Sequence, residues 1–261
     1  MEVSDNGGVI IEKYMGNTND FNMTYLFVKG EPYLIKLADR FLGTVESGMD
    51  RNCIASMSPS RYTDMYMKNV HPRIVNMIRG LGIMNGPVFM QGFVDGDTVR
   101  FYDPGFRFPG AEYELMTKAV WGLDVMKMMV EYALAGEFKS DFGPLVHEPA
   151  YMKQKPCGML LPTIGEGIIG EIDGFDEVGK IPQVVCYTVR HKVGDIIKST
   201  HDVNQLLCEI SIIADNLSEY REVIKRIQAL LTVKDTDGND MFISNFDVNE
   251  IRAFAYGSID E

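Results

Sequence analysis

The chain has 261 residues, enough for two modest domains or one large one with a substantial core. Its 46% hydrophobic and 24% charged residues fit a soluble globular protein, and 25 basic against 37 acidic residues leave a formal charge of −12. That balance argues against a general nucleic-acid binder, which needs a basic footprint, but leaves room for a local basic pocket.

No apolar run reaches the roughly 18 residues that span a bilayer. "MEVSDNGGVIIEKYMG" opens with acids and lacks the basic start of a signal peptide. Cys53, Cys157, Cys186 and Cys208 are far apart and form no Cys-x-x-Cys pair, so they read as reduced thiols of a cytoplasmic protein. The histidines are equally scattered and give zinc little support.

In chain order, "GGVIIEKYMG" (7–16) reads as a buried strand leaving the core. "NMTYLFVKGEPYLIKLADRF" (22–41) reads as a hairpin about Lys29-Gly30-Glu31-Pro32. Residues 58–82 carry apolar positions at helical spacing, with Pro72 kinking the helix or starting a second one and Gly80 and Gly82 stopping it. "GPVFMQGFVDGDTVRFYDPG" (86–105) predicts a second hairpin turned at Asp95-Gly96-Asp97, and 111–137 one or two helices broken at Gly122. The proline-bearing stretch 138–158 reads as a connection between lobes. Short strands follow near 158–162, 168–173 and 183–189, and then two helices over about 202–231. The second helix shows Leu217, Tyr220, Ile224, Ile227 and Leu231 on one face.

Two motifs invite a functional reading and fail it. "GEGIIG" (165–170) matches a dinucleotide fingerprint, but no helical periodicity follows it, so a hairpin-rich surface segment is the better reading. "DTDGND" (235–240) hints at a calcium loop, yet the position that should supply a bidentate glutamate is Phe246.

"FYDPGFRFPG" (101–110) asks for more. Asp103 and Arg107 flank a Pro-Gly turn at a strand end, placing a carboxylate and a guanidinium at the rim of a sheet. The carboxylate can hold Mg²⁺ on nucleotide phosphates, and the arginine can neutralise a transferring phosphoryl group. Taken alone, the stretch also reads as a hairpin-end aspartate pairing with an arginine.

In succession, "VIIEKYMG", "GEPYLIKLADR", "LGIMNGPVFMQGF" and "VRFYDPGFRFPG" resemble the C-terminal half of the ATP-grasp ligases, with biotin carboxylase and carbamoyl phosphate synthase laid over them most easily. The resemblance covers about residues 8–137, and the remainder is similar to the trailing domain of carbamoyl phosphate synthase-like members. It implies an α+β fold: an ATP-grasp C-terminal subdomain over 1–140, an antiparallel sheet flanked by helices, followed by a smaller α+β domain over 141–261. It also implies that Glu12 leads into a hinge of Lys13, Tyr14 and Met15 that reads adenine, that Asp20 lies near the ribose, that Asp103 and Gln91 hold Mg²⁺, and that Arg107 meets the transferring phosphate.

The chain departs from that pattern at three points. Gln91 stands where a carboxylate is expected, Gly105 where an asparagine is, and Asp103 is one methylene shorter than glutamate. The lid loop and the N-terminal domain of such enzymes have no counterpart here. The resemblance therefore implies part of an ATP-dependent carboxylate–amine ligase that forms an acyl phosphate, inactive by itself, whose partners are ATP, a small carboxylate and amine, and the rest of the enzyme. It leaves room for a homo-oligomer. The alternative is a degenerate module for nucleotide sensing or subunit contact. Arg40, Arg51 and Arg61 could meet an anionic substrate or be solvated surface charges.

Overall fold

The computed structural model describes residues 9, 11, 13, 15, 20–43, 52–110, 113–139, 149–198 and 203–251. β1 (Asp20–Val28) is buried along its whole length and turns into β2 (Glu31–Leu42) through Lys29 and Gly30. Both turn residues have positive φ (53° and 83°), the geometry that matches the twist of a tight hairpin. β3 (Cys53–Ser58) follows, then a short α1 (Thr63–Met65), a π-helical turn over Tyr66–Val70, and α2 (His71–Gly80). Pro72 sits in the first turn of α2, where its missing N–H has no helical partner to lose, so it starts that helix.

The second hairpin joins β4 (Gly86–Asp95) to β5 (Thr98–Gly105) across Gly96 and Asp97. α3 (Tyr113–Trp121) and α4 (Val125–Ala135) break at Gly122, whose φ is 73°, and the Asp124 side chain caps α4 by accepting from the Lys127 amide at 2.9 Å. The C-terminal part holds β6 (Cys157–Leu160), β7 (Gly167–Asp173), a short α5 (Phe175–Val178), β8 (Val184–Val189), β9 (Ile196–Ile197), β10 (Cys208–Ile213), α6 (Leu217–Leu230) and β11 (Thr232–Asp235).

One expected helix within 202–231 is a strand. "CEISII" forms β10, between β6 and β8, because its β-branched isoleucines suit a pleated, doubly covered surface. α6 alone fills the helical part, burying Leu217, Tyr220, Ile224 and Ile227, with Asn216 capping it through the Glu219 amide at 2.9 Å. "GEGIIG" runs into β7, and "DTDGND" closes a turn in which Asp235 accepts from the Asp237 and Asn239 amides.

Eight antiparallel strands form one sheet in the order β5-β4-β1-β2-β3-β6-β10-β8, and β11-β7-β9 form a small second sheet. β2, β3 and β6 are neighbours, so the large sheet passes from the stretch before residue 140 to the stretch after it without a break. One face is covered by helices. Phe21, Met23, Tyr25, Phe27 and Leu37 pack on Tyr66, Ile74 and Ile78. Ala55, Met57, Ile210 and Ile212 pack on α6. On the other face, Leu26, Val28, Ile35, Met159 and Leu161 meet Met116, Trp121 and Met128 of α3 and α4. Gly158 permits the closest approach in the sheet. A Cβ there would lie 1.9 Å from the Ser56 carbonyl oxygen and 2.5 Å from the Tyr220 hydroxyl, which itself donates to Ser56 O at 3.1 Å.

Candidate functional site

Along the face covered by α3 and α4, β1 changes character. Side chains alternate across a strand, so Val28, Leu26, Thr24, Asn22 and Asp20 share that face. The first two are apolar and the last three are polar, yet all are buried. Strand register extends this polar stretch into rows. Lys36, Thr24, Phe89 and Gly105 lie opposite one another on β2, β1, β4 and β5, and Ala38, Asn22, Gln91 and Asp103 form the next row. Asp20 faces Phe93 in the row beyond.

The β4–β5 pairing slips between Gln91 and Gly92, leaving Tyr102 as an extra residue in β5. Such a bulge turns both of its residues to one side, so Tyr102 and Asp103 reach the same face. The Tyr102 ring packs on Phe93 at 5.0 Å.

Arg107 folds back over the end of β5. Its guanidinium lies 5.0 Å from the centre of the Phe89 ring, its Nη2 is 3.5 Å from Asp103 Oδ2, and its Nη1 donates to the Phe108 carbonyl at 3.2 Å. Gly105 makes this possible, since a Cβ there would press on Arg107 Cγ and Nε at 3.2 Å. The side chains of Asp103 and Arg107 stay 46% and 52% exposed, so their contact is a weak, solvent-screened pair free to engage a ligand.

The floor behind them is tied down. Arg40 Nη1 donates to Asp20 Oδ2 at 2.7 Å and to the Tyr102 hydroxyl at 2.8 Å, and that hydroxyl reaches Asp20 Oδ1 at 3.1 Å. Burial pushes the Asp20 carboxyl up, and Arg40 and Tyr102 pull against it. For Arg40, burial works against the charge, but Cys53 and Asp20 more than offset this and hold the guanidinium protonated. Lys36 is 1% exposed, and its removal from water pushes the ammonium down to about 8. Asn22 Oδ1, Thr24 Oγ1, Ser56 Oγ and Ser58 Oγ are buried in the same part of the sheet with no hydrogen-bond partner among the described residues.

The register therefore brings Gln91 and Asp103 face to face, with Arg107 beside them. Asp20 is on the same face, but both of its carboxylate oxygens are engaged within the protein. Lys13 and Met15 are in irregular backbone, and Glu12 and Tyr14 lie outside the described residues. The Asp95 carboxyl is held below the ordinary range mainly by Arg100, with a small contribution from Lys13, so the charge of Lys13 is felt at the tip of the β4–β5 hairpin. Arg61 is on the opposite side of the sheet, 3.7 Å from the buried Asp39, and Arg51 lies outside the described residues. Lys36, Asn22, Thr24 and Tyr102 were missed by sequence reasoning. A signal for the β1 residues existed in "DFNMT", where polar and apolar residues alternate with the strand period.

Among the described residues, no three His, Cys, Asp or Glu side chains gather around one point. A hard cation on this face would thus take one carboxylate from Asp103, the amide oxygen of Gln91, and further oxygens from ligand and water. That donor set suits Mg²⁺, which keeps several waters and binds through one or two carboxylates plus phosphates.

No family model matches the sequence, and no curated protein matches it. Solved structures do. Phosphoribosylglycinamide synthetase from Anaerococcus prevotii is similar with a TM-score of 0.68 at 15% identity, over 85% of this chain and 55% of that one. L-Amino acid ligase from Bacillus licheniformis gives 0.67 at 17%, over 84% and 52%. The biotin carboxylase domain of the 2-oxoglutarate carboxylase from Hydrogenobacter thermophilus, in complex with MgADP and bicarbonate, gives 0.59 at 13%, over 85% and 47%. These are ATP-grasp enzymes, and the chain has the ATP-grasp fold. It spans about half the length of the solved structures that it matches. No helix among the described residues is long and apolar enough to cross a membrane.

Proposed function

We propose that the chain supplies the metal- and phosphoryl-binding face of an ATP-dependent carboxylate–amine ligase. The observation that carries this reading is the direct pairing of Gln91 with Asp103 across β4 and β5, with the Arg107 guanidinium beside them. In this reading Asp103 and Gln91 hold Mg²⁺ on the nucleotide phosphates, where the ion would neutralise phosphate charge. Arg107 leaves Asp103 to meet the transferring phosphoryl group, and preorganised positive charge at that point supplies most of the rate in such chemistry. A carboxylate oxygen attacks the terminal phosphorus and ADP departs. An amine then attacks the acyl carbon of the acyl phosphate, inorganic phosphate departs, and the amine proton passes to water. Reading adenine falls to the segment of Lys13 and Met15, with the roles of Glu12 and Tyr14 resting on the family resemblance alone. Asp20, engaged by Arg40 and Tyr102, supports the floor near the ribose. Because the chain matches about half of each similar enzyme, the activity is proposed for the complete enzyme, in which other segments close over the nucleotide and shape the acceptor pocket.

A second reading, a module that binds nucleotide for sensing or subunit contact without turnover, is favoured by one feature: the paired position opposite Asp103 is the neutral Gln91. ATP consumption by the complete enzyme that depends on an added carboxylate and amine supports the ligase, and binding without turnover supports the module. The site itself is tested by equilibrium binding of Mg-ATP. Asp103→Asn should weaken Mg²⁺-dependent binding on the order of tenfold or more and leave metal-free binding unchanged. Metal-dependent binding that survives this substitution refutes the assignment.

A further inference from the structure

Tyr102 is the extra residue of β5, and the face that carries Asp103 depends on where it goes. Counted from the turn, Asp95 faces Thr98, Phe93 faces Arg100 and Gly92 faces Phe101. Continued unbroken, that register would set Tyr102 opposite Gln91 and turn Asp103 to the other face of the sheet. The bulge moves the count by one, and Gln91 meets Asp103 instead. The surroundings of Tyr102 show what keeps it out of that place. Its ring lies 5.0 Å from that of Phe93, and its hydroxyl accepts from Arg40 Nη1 at 2.8 Å and donates to Asp20 Oδ1 at 3.1 Å. Phe93 and Asp20 are themselves a register pair, so ring and hydroxyl both engage the row beyond Gln91. Arg100, the direct partner of Phe93, donates to Asp95 at 2.7 Å near the hairpin tip and leaves the Phe93 ring to Tyr102. At the slip itself β5 runs so close to β4 that a Cβ on Gly92 would lie 2.8 Å from the Arg100 carbonyl oxygen.

We infer that Tyr102 is a positioning residue for the metal site: its hydroxyl, clasped by Asp20 and Arg40, fixes the bulge and so holds Asp103 opposite Gln91. The inference rests on the site proposed above and adds to it a residue that sets the geometry without touching ion or nucleotide. It also gives the buried Asp20–Arg40 pair a second task, as the anchor for β5 at the edge of the sheet. Without that anchor the end of β5 can slip by one residue. Tyr102 then takes the place opposite Gln91, and the Asp103 carboxylate leaves the face.

The experiment compares wild type, Tyr102→Phe and a variant lacking residue 102, each as the full chain. ATP binding is measured by calorimetry without metal and over a range of Mg²⁺ concentrations, and thermal unfolding is followed on the same samples. Tyr102→Phe keeps the ring on Phe93 but loses both hydrogen bonds to charged groups. The Mg²⁺ concentration for half-saturation should rise roughly tenfold, the usual worth of such bonds. Metal-free ATP affinity should change by less than about threefold. Removing residue 102 takes out the bulge itself, so the register from the turn then places Asp103 opposite Gln91. The Mg²⁺ requirement of that variant should return to within about threefold of wild type. A purely structural role does not produce this order, in which a deletion is milder than a conservative substitution. An unchanged Mg²⁺ requirement in Tyr102→Phe, or one raised as much or more by the deletion, overturns the inference and leaves the site reading standing. Loss of cooperative unfolding in either variant overturns it as well, because it assigns the residue to stability rather than to register. Failure of wild type to show Mg²⁺-dependent ATP binding overturns the site reading and the inference together.

Discussion

Asp20→Asn separates a carboxylate that holds the sheet together from one that waits for a ligand. The side chain is 3% exposed, and its two oxygens accept from Arg40 at 2.7 Å and Tyr102 at 3.1 Å. The substitution keeps the shape and the Tyr102 contact but removes the charge that neutralises Arg40, whose own side chain is 14% exposed. Breaking a buried pair from one side costs about 3–5 kcal/mol. Arg40 keeps its contact with the Tyr102 hydroxyl at 2.8 Å and some access to water, so the expected loss lies at the low end, about 3 kcal/mol. For a chain of this size that is a fall in Tm of roughly 6–10 °C. Urea unfolding of wild type, Asp20→Asn, Arg40→Met and the double variant checks the value and its origin. The double variant should recover part of the loss, since no charge is then left uncompensated. A loss below about 1 kcal/mol for Asp20→Asn, with nucleotide affinity reduced instead, would refute this reasoning and make Asp20 a free ribose contact.

Gly158→Ala should prevent β3 and β6 from pairing, because its Cβ would lie 1.9 Å from Ser56 O, and no side-chain motion relieves a backbone clash. Cooperative unfolding is expected to be lost or weakened by more than about 4 kcal/mol, as read by calorimetry. Asp39, buried with Ser60 donating to it at 2.6 Å, has its carboxyl pushed up by burial to about 6. A native carboxyl above its unfolded value binds the extra proton in the folded state, so this contribution is full below about pH 4 and is lost as pH rises through about 6. Asp39→Asn should therefore flatten the fall in stability between those pH values by on the order of 2–3 kcal/mol, and an unchanged pH profile contradicts the assignment. Asp103→Asn should change stability by less than about 1 kcal/mol, because the pair it breaks is half exposed.

What the sequence made legible was local chemistry. The turns at Lys29-Gly30 and Gly96-Asp97 were readable because Gly30 and Gly96 supply the positive φ that few residue types tolerate. The α6 stripe was readable because its period is that of a helix, and Pro72 announced a helix start. β3 was not readable: "CIASMS" offers small residues and a single β-branched one, and it is held by partners on both sides rather than by propensity. β10 was taken for a helix because a short apolar run does not declare its period.

The site divides along the same line. Asp103 and Arg107 are four residues apart across one turn, so their proximity follows from the chain itself. Gln91 becomes the neighbour of Asp103 only through the bulge in β5, because the register set at the turn would pair it with Tyr102. Lys36 opposite Thr24, and Asp20 clasped by Arg40 and Tyr102, depend on which strands adjoin and on a bulge in β5, and neither is written in any local stretch. The shortage of carboxylates on this face is likewise structural: Asp20 is on the face but engaged.

The most direct measurement is a crystal structure of the protein with Mg²⁺ and a non-hydrolysable ATP analogue. The account predicts a metal touched by Asp103 and the Gln91 amide oxygen, with the Arg107 guanidinium moved from Asp103 onto the terminal phosphate. A nucleotide bound away from the β4–β5 rows, or a metal held without Asp103, would contradict it.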